Sequence, residues 1–141
     1  MFNILHDIEI NTTKDKVFEY ISNPFHLNNW WTKSSEGKAD LGERYRFYFT
    51  PEYDWFAEVS KINSPEQIEF KMTKSDEDWD PTSFGFHLSD TINGTLLSFY
   101  HNNWQSQNHH YRRTNCCWAL LLKGLKDYCE QEIIVPFEKR A

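Results

Sequence analysis

Two side chains in the sequence, His101 and Tyr45, have the chemistry to act as an acid and a base. Each lies in a stretch that alternates apolar and polar residues, and the alternation places both on the apolar face. A neutral imidazole and a phenol can each donate and accept a hydrogen bond. They could therefore orient a ligand or transfer a proton in a cavity. A histidine held in the core by a backbone group or by Tyr45 would produce the same pattern.

The acidic run in the middle of the chain resembles a calcium-binding loop only in part. Asp76, Asp78 and Asp80 follow the one-three-five spacing of such a loop. However, Pro81 stands at the sixth position, where glycine is needed, and His87 stands at the twelfth, where glutamate is needed. The run is therefore predicted to be a solvated loop.

The spacing of the adjacent histidines does not suit a metal site, and the spacing of the cysteines does not suit a disulfide. Neighbouring side chains on a helix point roughly 100° apart, so His109 and His110 cannot share a metal as an i, i+4 pair can. Cys116 and Cys117 cannot form an ordinary disulfide within a helix, and Cys129 makes the number odd. No GxSxG motif and no phosphate-binding loop occurs. We therefore expect reduced thiols, no metal and no cofactor.

Composition limits the class of protein. The 141 residues include 6 Trp, 7 Tyr and 11 Phe and carry a formal net charge of −6. A chain of this length can bury a core as one domain, here residues 1–141. The acidic balance argues against a nucleic-acid partner. The N-terminus lacks the features of a signal peptide and no run of about 18 apolar residues occurs, which predicts a cytoplasmic location and no membrane insertion.

Residue periodicity predicts the elements that position His101 and Tyr45. Residues 4–11 alternate as a strand, residues 14–21 repeat at helical spacing, and a second short helix is expected over residues 25–30. A series of alternating stretches separated by turn residues then predicts an antiparallel meander. Its strands are expected over 44–49, 55–62, 66–72, 82–88 and 94–101. A long amphipathic helix is expected over residues 107–130, with Cys117 on its apolar face.

This order of elements resembles the helix-grip fold of the START-like superfamily, which includes polyketide cyclases and birch-pollen-allergen-like proteins. Within it, the chain looks most like the bacterial branch named after the activator of heat-shock protein 90 ATPase. The motifs that carry the resemblance are IEINTTKDKVFEYISNPFHLNNWW, GERYRFYF, AEVSKINSPEQIEF, GTLLSFYHNNW and WALLLKGLKDYCE. The resemblance implies an α+β fold in which a curved antiparallel sheet grips the C-terminal helix, with a cavity between them.

Strand and helix periodicity predicts which side chains project into that space. Trp30 is expected to plug it from the side of the short helices, with Trp31 at its rim. So many aromatic rings can also pack together as core and fill the space. The complete predicted ligand-binding set is Trp30, Trp31, Tyr45, Phe47, Phe49, Phe70, Phe84, Phe86, Phe99, His101, Trp118, Leu121 and Leu122.

Three functions are compatible with these observations. The first is non-catalytic binding of a small apolar or aromatic molecule in the cavity. The second is a small cyclase, lyase or hydrolase that uses the same cavity, with His101 or Tyr45 as acid or base. The third, implied by the resemblance, is a co-chaperone that acts on a chaperone ATPase.

Overall fold

The computed structural model describes residues 1–141 as one seven-stranded sheet with three helices. In chain order, the elements are β1 (Phe2–Ile10), α1 (Lys14–Ser22), α2 (Pro24–Leu27), β2 (Ser34–Glu36), β3 (Arg44–Thr50), β4 (Tyr53–Asn63), β5 (Gln67–Lys74), β6 (Ser83–Asp90), β7 (Thr95–Trp104) and α3 (His109–Gln131). A short 3₁₀ helix follows over Phe137–Lys139. None of the helices has a stretch both long and apolar enough to span a membrane.

The sheet is antiparallel throughout and has the order β1-β7-β6-β5-β4-β3-β2. Strands β3 to β7 form the predicted meander, β1 pairs with β7 at one edge, and β2 pairs with β3 at the other. The prediction of a curved antiparallel sheet that packs against a long C-terminal helix is confirmed. The three-residue strand β2 was not predicted, because so short a segment shows no measurable alternation.

The two short helices are held by side-chain caps. At the start of α1, the Thr13 hydroxyl accepts a hydrogen bond from the Lys16 backbone N–H. At the start of α2, the Asn23 side chain accepts one from the Phe25 backbone N–H, and Pro24 lies in the first turn. Helix α2 ends at Leu27 and does not continue to Trp30 as predicted. The chain turns instead, and the Leu27 carbonyl accepts from the backbone N–H groups of residues 30, 31 and 32.

Helix α3 packs its apolar face against the concave side of the sheet. It begins at the Asn108 cap, whose side chain accepts from the Tyr111 N–H, and ends at Glu132 in the left-handed conformation. The predicted apolar stripe is confirmed for its buried members, which are Thr114, Trp118, Leu121, Leu122, Leu125 and Cys129. Cys117 was also predicted to be buried, but it is only half-buried.

Candidate functional site

The centre of the interface between the sheet and α3 is filled with aromatic rings. The centroids of Phe70 and Phe84 lie 5.2 Å apart, those of Phe86 and Phe99 5.3 Å, and those of Phe99 and Trp118 4.5 Å. All five side chains are at most 2% exposed. Rings at these separations are in contact and contribute packing energy beyond the burial of their area. The middle of the fold is therefore solid core.

A pocket of about 390 Å³ opens at one end of this interface, beyond the filled centre. Its walls come from the β3–β4 hairpin, the turn before β6 and the N-terminal half of α3. Its volume is in the range of small-molecule sites. We call it the aromatic pocket, and its lining residues are Trp31, Phe49, Tyr53, Trp55, Asp76, Trp79, His110, Arg113, Thr114, Cys117, Trp118, Leu121 and Ala141.

Four of the predicted ligand-binding residues border the aromatic pocket, namely Trp31, Phe49, Trp118 and Leu121. The other nine are buried and do not border it. They are Trp30, Tyr45, Phe47, Phe70, Phe84, Phe86, Phe99, His101 and Leu122.

Sequence reasoning missed the other side of the pocket, above all Trp55 and Trp79. The ring centroids of these two residues lie 4.7 Å apart. Trp79 is only 6% exposed although it lies in the acidic run that was predicted to be solvated. A tryptophan within such a run was the available signal, because a large indole is seldom left in solvent.

The predicted roles of the two adjacent tryptophans were wrong. Trp31, expected at the rim, enters the interior, where its ring lies 4.8 Å from that of Phe47 and 5.1 Å from that of Trp118. Trp30, expected to plug the space, packs behind Trp31 and donates its indole N–H to the Tyr20 carbonyl at 2.9 Å. The prediction assumed a helix through residue 30, whereas the turn after Leu27 directs the two rings differently.

His101 is buried, and both of its ring nitrogens have partners. Nδ1 accepts from the Trp118 indole N–H at 3.0 Å, so the proton of the neutral ring is on Nε2, which donates to the Thr82 hydroxyl at 2.8 Å. That hydroxyl donates in turn to the Trp79 carbonyl at 2.6 Å. Burial lowers the pKa of His101 to about 3, with a smaller contribution from His110. His101 is therefore a neutral link within the core.

Tyr45 is also held in place by a hydrogen bond. Its hydroxyl donates to the Ser22 carbonyl at 2.7 Å, which joins β3 to the end of α1. Burial raises the pKa of the phenol well above its usual value. With its proton donated to a buried carbonyl, the phenol is unsuited to proton transfer at neutral pH.

The acidic run is an ordered turn that is attached to α3. Asp76 accepts from the Trp79 backbone N–H at 2.8 Å, and Asp80 accepts from that of Ser75 at 2.7 Å. Asp78 accepts from His110 Nδ1 at 2.9 Å, while His110 Nε2 lies 3.8 Å from Asp76. These contacts hold Trp79 in the pocket wall.

The chain matches a known family over most of its length. A family model described as Activator of Hsp90 ATPase homolog 1-like protein matches residues 11–130. The chain belongs to this family. A search of curated proteins found no match.

Solved structures agree with this family assignment. The solution structure of the Aha1 dimer from Colwellia psychrerythraea is 27% identical, with a TM-score of 0.85 over 93% of this chain and 98% of that one. A protein from Staphylococcus saprophyticus is 15% identical, with a TM-score of 0.82 over 99% and 98% of the two chains. One from Bacillus halodurans is 22% identical, with a TM-score of 0.77 over 92% and 98%. The last two show the fold alone.

The three cysteines provide a direct chemical probe of the pocket in this family member. Cys116 is exposed, Cys117 borders the pocket, and Cys129 is buried with its thiol pKa raised to about 12 by burial. Because the thiolate is the reactive form, a thiol-specific reagent is expected to modify Cys116 first, Cys117 more slowly and Cys129 only after unfolding. Mass spectrometry of timed, digested samples measures this order. Modification of Cys129 as fast as Cys116 in the folded protein would contradict the structure.

Proposed function

We propose that the protein binds a small apolar or aromatic molecule in the aromatic pocket. The observation that carries the proposal is the wall itself, in which six Trp, Tyr and Phe rings surround one opening. These rings belong to Trp31, Phe49, Tyr53, Trp55, Trp79 and Trp118. The START-like fold of the family fits a ligand-binding domain. Offset and edge-on contacts with such rings favour a flat, unsaturated ligand.

The proposed binding is non-catalytic. The two residues considered for acid–base chemistry, His101 and Tyr45, lie outside the pocket, and their polar atoms are already hydrogen-bonded. Affinity would instead come from burial, at about 2.5 kcal/mol for each 100 Å² of apolar ligand surface before the cost of association is subtracted.

A substitution that fills the pocket tests the proposal. In Cys117→Phe, a ring on the half-buried position of α3 would occupy the space that the ligand needs. The dissociation constant of the neutral dye N-phenyl-1-naphthylamine, measured by its fluorescence, is expected to rise about tenfold or more, because the dye loses its apolar contacts. Native mass spectrometry of freshly purified protein then shows whether a natural ligand is present.

The adjacent position supplies a matched control. Cys116→Phe adds the same ring one residue earlier, where the side chain is exposed. Dye affinity in this variant is expected to stay within about twofold of the original protein. Equal dye binding by both variants and the original protein would refute the proposal.

A second candidate function follows from the family's description, which names an activator of the Hsp90 ATPase. Under this proposal the protein would bind a chaperone and increase its rate of ATP hydrolysis. A steady-state ATPase assay with a purified Hsp90-type chaperone tests it. Stimulation that is unchanged by Cys117→Phe would favour a surface contact over pocket binding, and absence of stimulation would remove this candidate.

We also propose that the protein functions in the cytoplasm. The three cysteines are unpaired, and no disulfide joins them. Free thiols are typical of a reducing compartment. Fractionation of cells that produce the protein at its natural level tests the location.

A further inference from the structure

A second pocket, of about 230 Å³, lies on the other side of Leu121 from the aromatic pocket. Its apolar floor is formed by Trp30, Leu121 and Val135, and the C-terminal segment adds Lys139, Arg140 and Ala141. Two cations thus line the pocket, and no aspartate or glutamate lines it. We call it the cationic pocket.

Arg140 is anchored there by neutral groups alone. Its Nε donates to the Val135 carbonyl at 2.8 Å and its Nη1 to the Thr32 carbonyl at 3.1 Å. These two bonds leave three of the five guanidinium N–H groups available. No aspartate or glutamate side chain lies within ion-pair distance of Arg140 or Lys139.

The lack of an acidic side chain beside Arg140 matters because of where the guanidinium lies. The side chain is part-buried, and burial lowers its pKa, although neighbouring Glu138 acts weakly in the opposite direction. A charge that is withdrawn from water is stabilised when an opposite charge pairs with it. A planar guanidinium whose outer edge is free matches the two oxygens of a carboxylate.

We propose that the cationic pocket binds a small carboxylate with a short apolar body. The carboxylate would pair with Arg140 and Lys139, and the apolar body would lie against Trp30, Leu121 and Val135. This pocket adjoins the aromatic pocket, because Leu121 and Ala141 line both, but its occupancy does not depend on the proposed function.

Titration with hexanoate, and with 1-hexanol as its uncharged analogue, tests the proposal. Heteronuclear NMR follows the Trp30 indole N–H, which belongs to a ring in the pocket floor. Hexanoate is expected to produce saturable shifts, and the affinity for hexanol is expected to be about tenfold lower, because hexanol makes no charged hydrogen bond. Equal affinities for the two probes would overturn the proposal.

Charge-neutralising variants complete the test. Arg140→Gln is expected to lower hexanoate affinity about tenfold, and Lys139→Gln about two- to threefold. Arg140→Gln could loosen the C-terminal segment because Arg140 anchors it. Lys139 makes no ion pair, so Lys139→Gln removes one positive charge from the pocket without breaking such a contact. Arg112→Gln, which changes the net charge equally at an exposed position of α3 outside the pocket, is expected to leave affinity unchanged. Equal affinity in the Lys139 and Arg112 variants would overturn the site.

Cys117→Phe distinguishes this proposal from the aromatic pocket. That substitution fills the aromatic pocket and replaces no residue of the cationic pocket. Hexanoate binding is expected to survive it. Loss of hexanoate binding in this variant would show that the probe occupies the aromatic pocket, and would overturn the second site.

Discussion

Replacement of Trp118 by alanine is expected to lower the free energy of unfolding by about 3–5 kcal/mol. The ring is 1% exposed and lies within 5.5 Å of the rings of Trp31, Phe84 and Phe99, measured between centroids. Its removal leaves a large cavity and takes away the hydrogen bond to His101 Nδ1. Urea denaturation followed by circular dichroism measures the change.

The exposed neighbour Cys116 gives the control for this measurement. Cys116→Ala lies on the same helix and is expected to change stability by less than about 0.5 kcal/mol. A loss below about 1 kcal/mol in Trp118→Ala would mean that α3 does not pack on the sheet as described.

The stability contributed by His101 is expected to depend steeply on pH. Its pKa is about 3 in the folded protein and close to 6.5 when unfolded. As the pH falls below 6.5, the unfolded chain therefore binds a proton at this position before the folded protein does. The contribution is complete above pH 6.5 and falls by about 1.4 kcal/mol for each pH unit toward pH 3.

Comparison with His101→Gln isolates this effect from the other titrating groups. The stability difference between the original protein and the variant is expected to shrink by about 3 kcal/mol between pH 6.5 and pH 4. Urea denaturation at a series of pH values measures it. A difference that stays constant over this range would show that His101 titrates alike in both states, which contradicts its burial between Trp118 and Thr82.

The sheet and α3 could be predicted from the sequence because their periodicities are local properties. Alternation of period two placed Phe47, Phe84, Phe99 and His101 on the buried face, where the structure has them. Whether such rings meet or leave a space depends on the curvature of the sheet and the distance to α3. Neither quantity is encoded in local periodicity, so the packed centre could not be distinguished from a cavity.

The pocket wall was harder to predict, because much of it comes from turns. Trp79 is positioned by the bond from its own N–H to Asp76 and by the packing of Trp55. The positions of Trp30 and Trp31 depend on where α2 ends. Both features are set by contacts between residues distant in sequence or by turn geometry, which hydrophobic spacing does not report.

The most direct test of ligand binding in the aromatic pocket is NMR titration of the six tryptophan indole signals with N-phenyl-1-naphthylamine. Trp31, Trp55, Trp79 and Trp118 border the pocket, whereas Trp104 borders neither pocket. We predict that the signals of the four bordering tryptophans shift saturably with one common affinity, and that the Trp104 signal is least affected. An absence of saturable shifts, or shifts largest at Trp104, would contradict binding in this pocket.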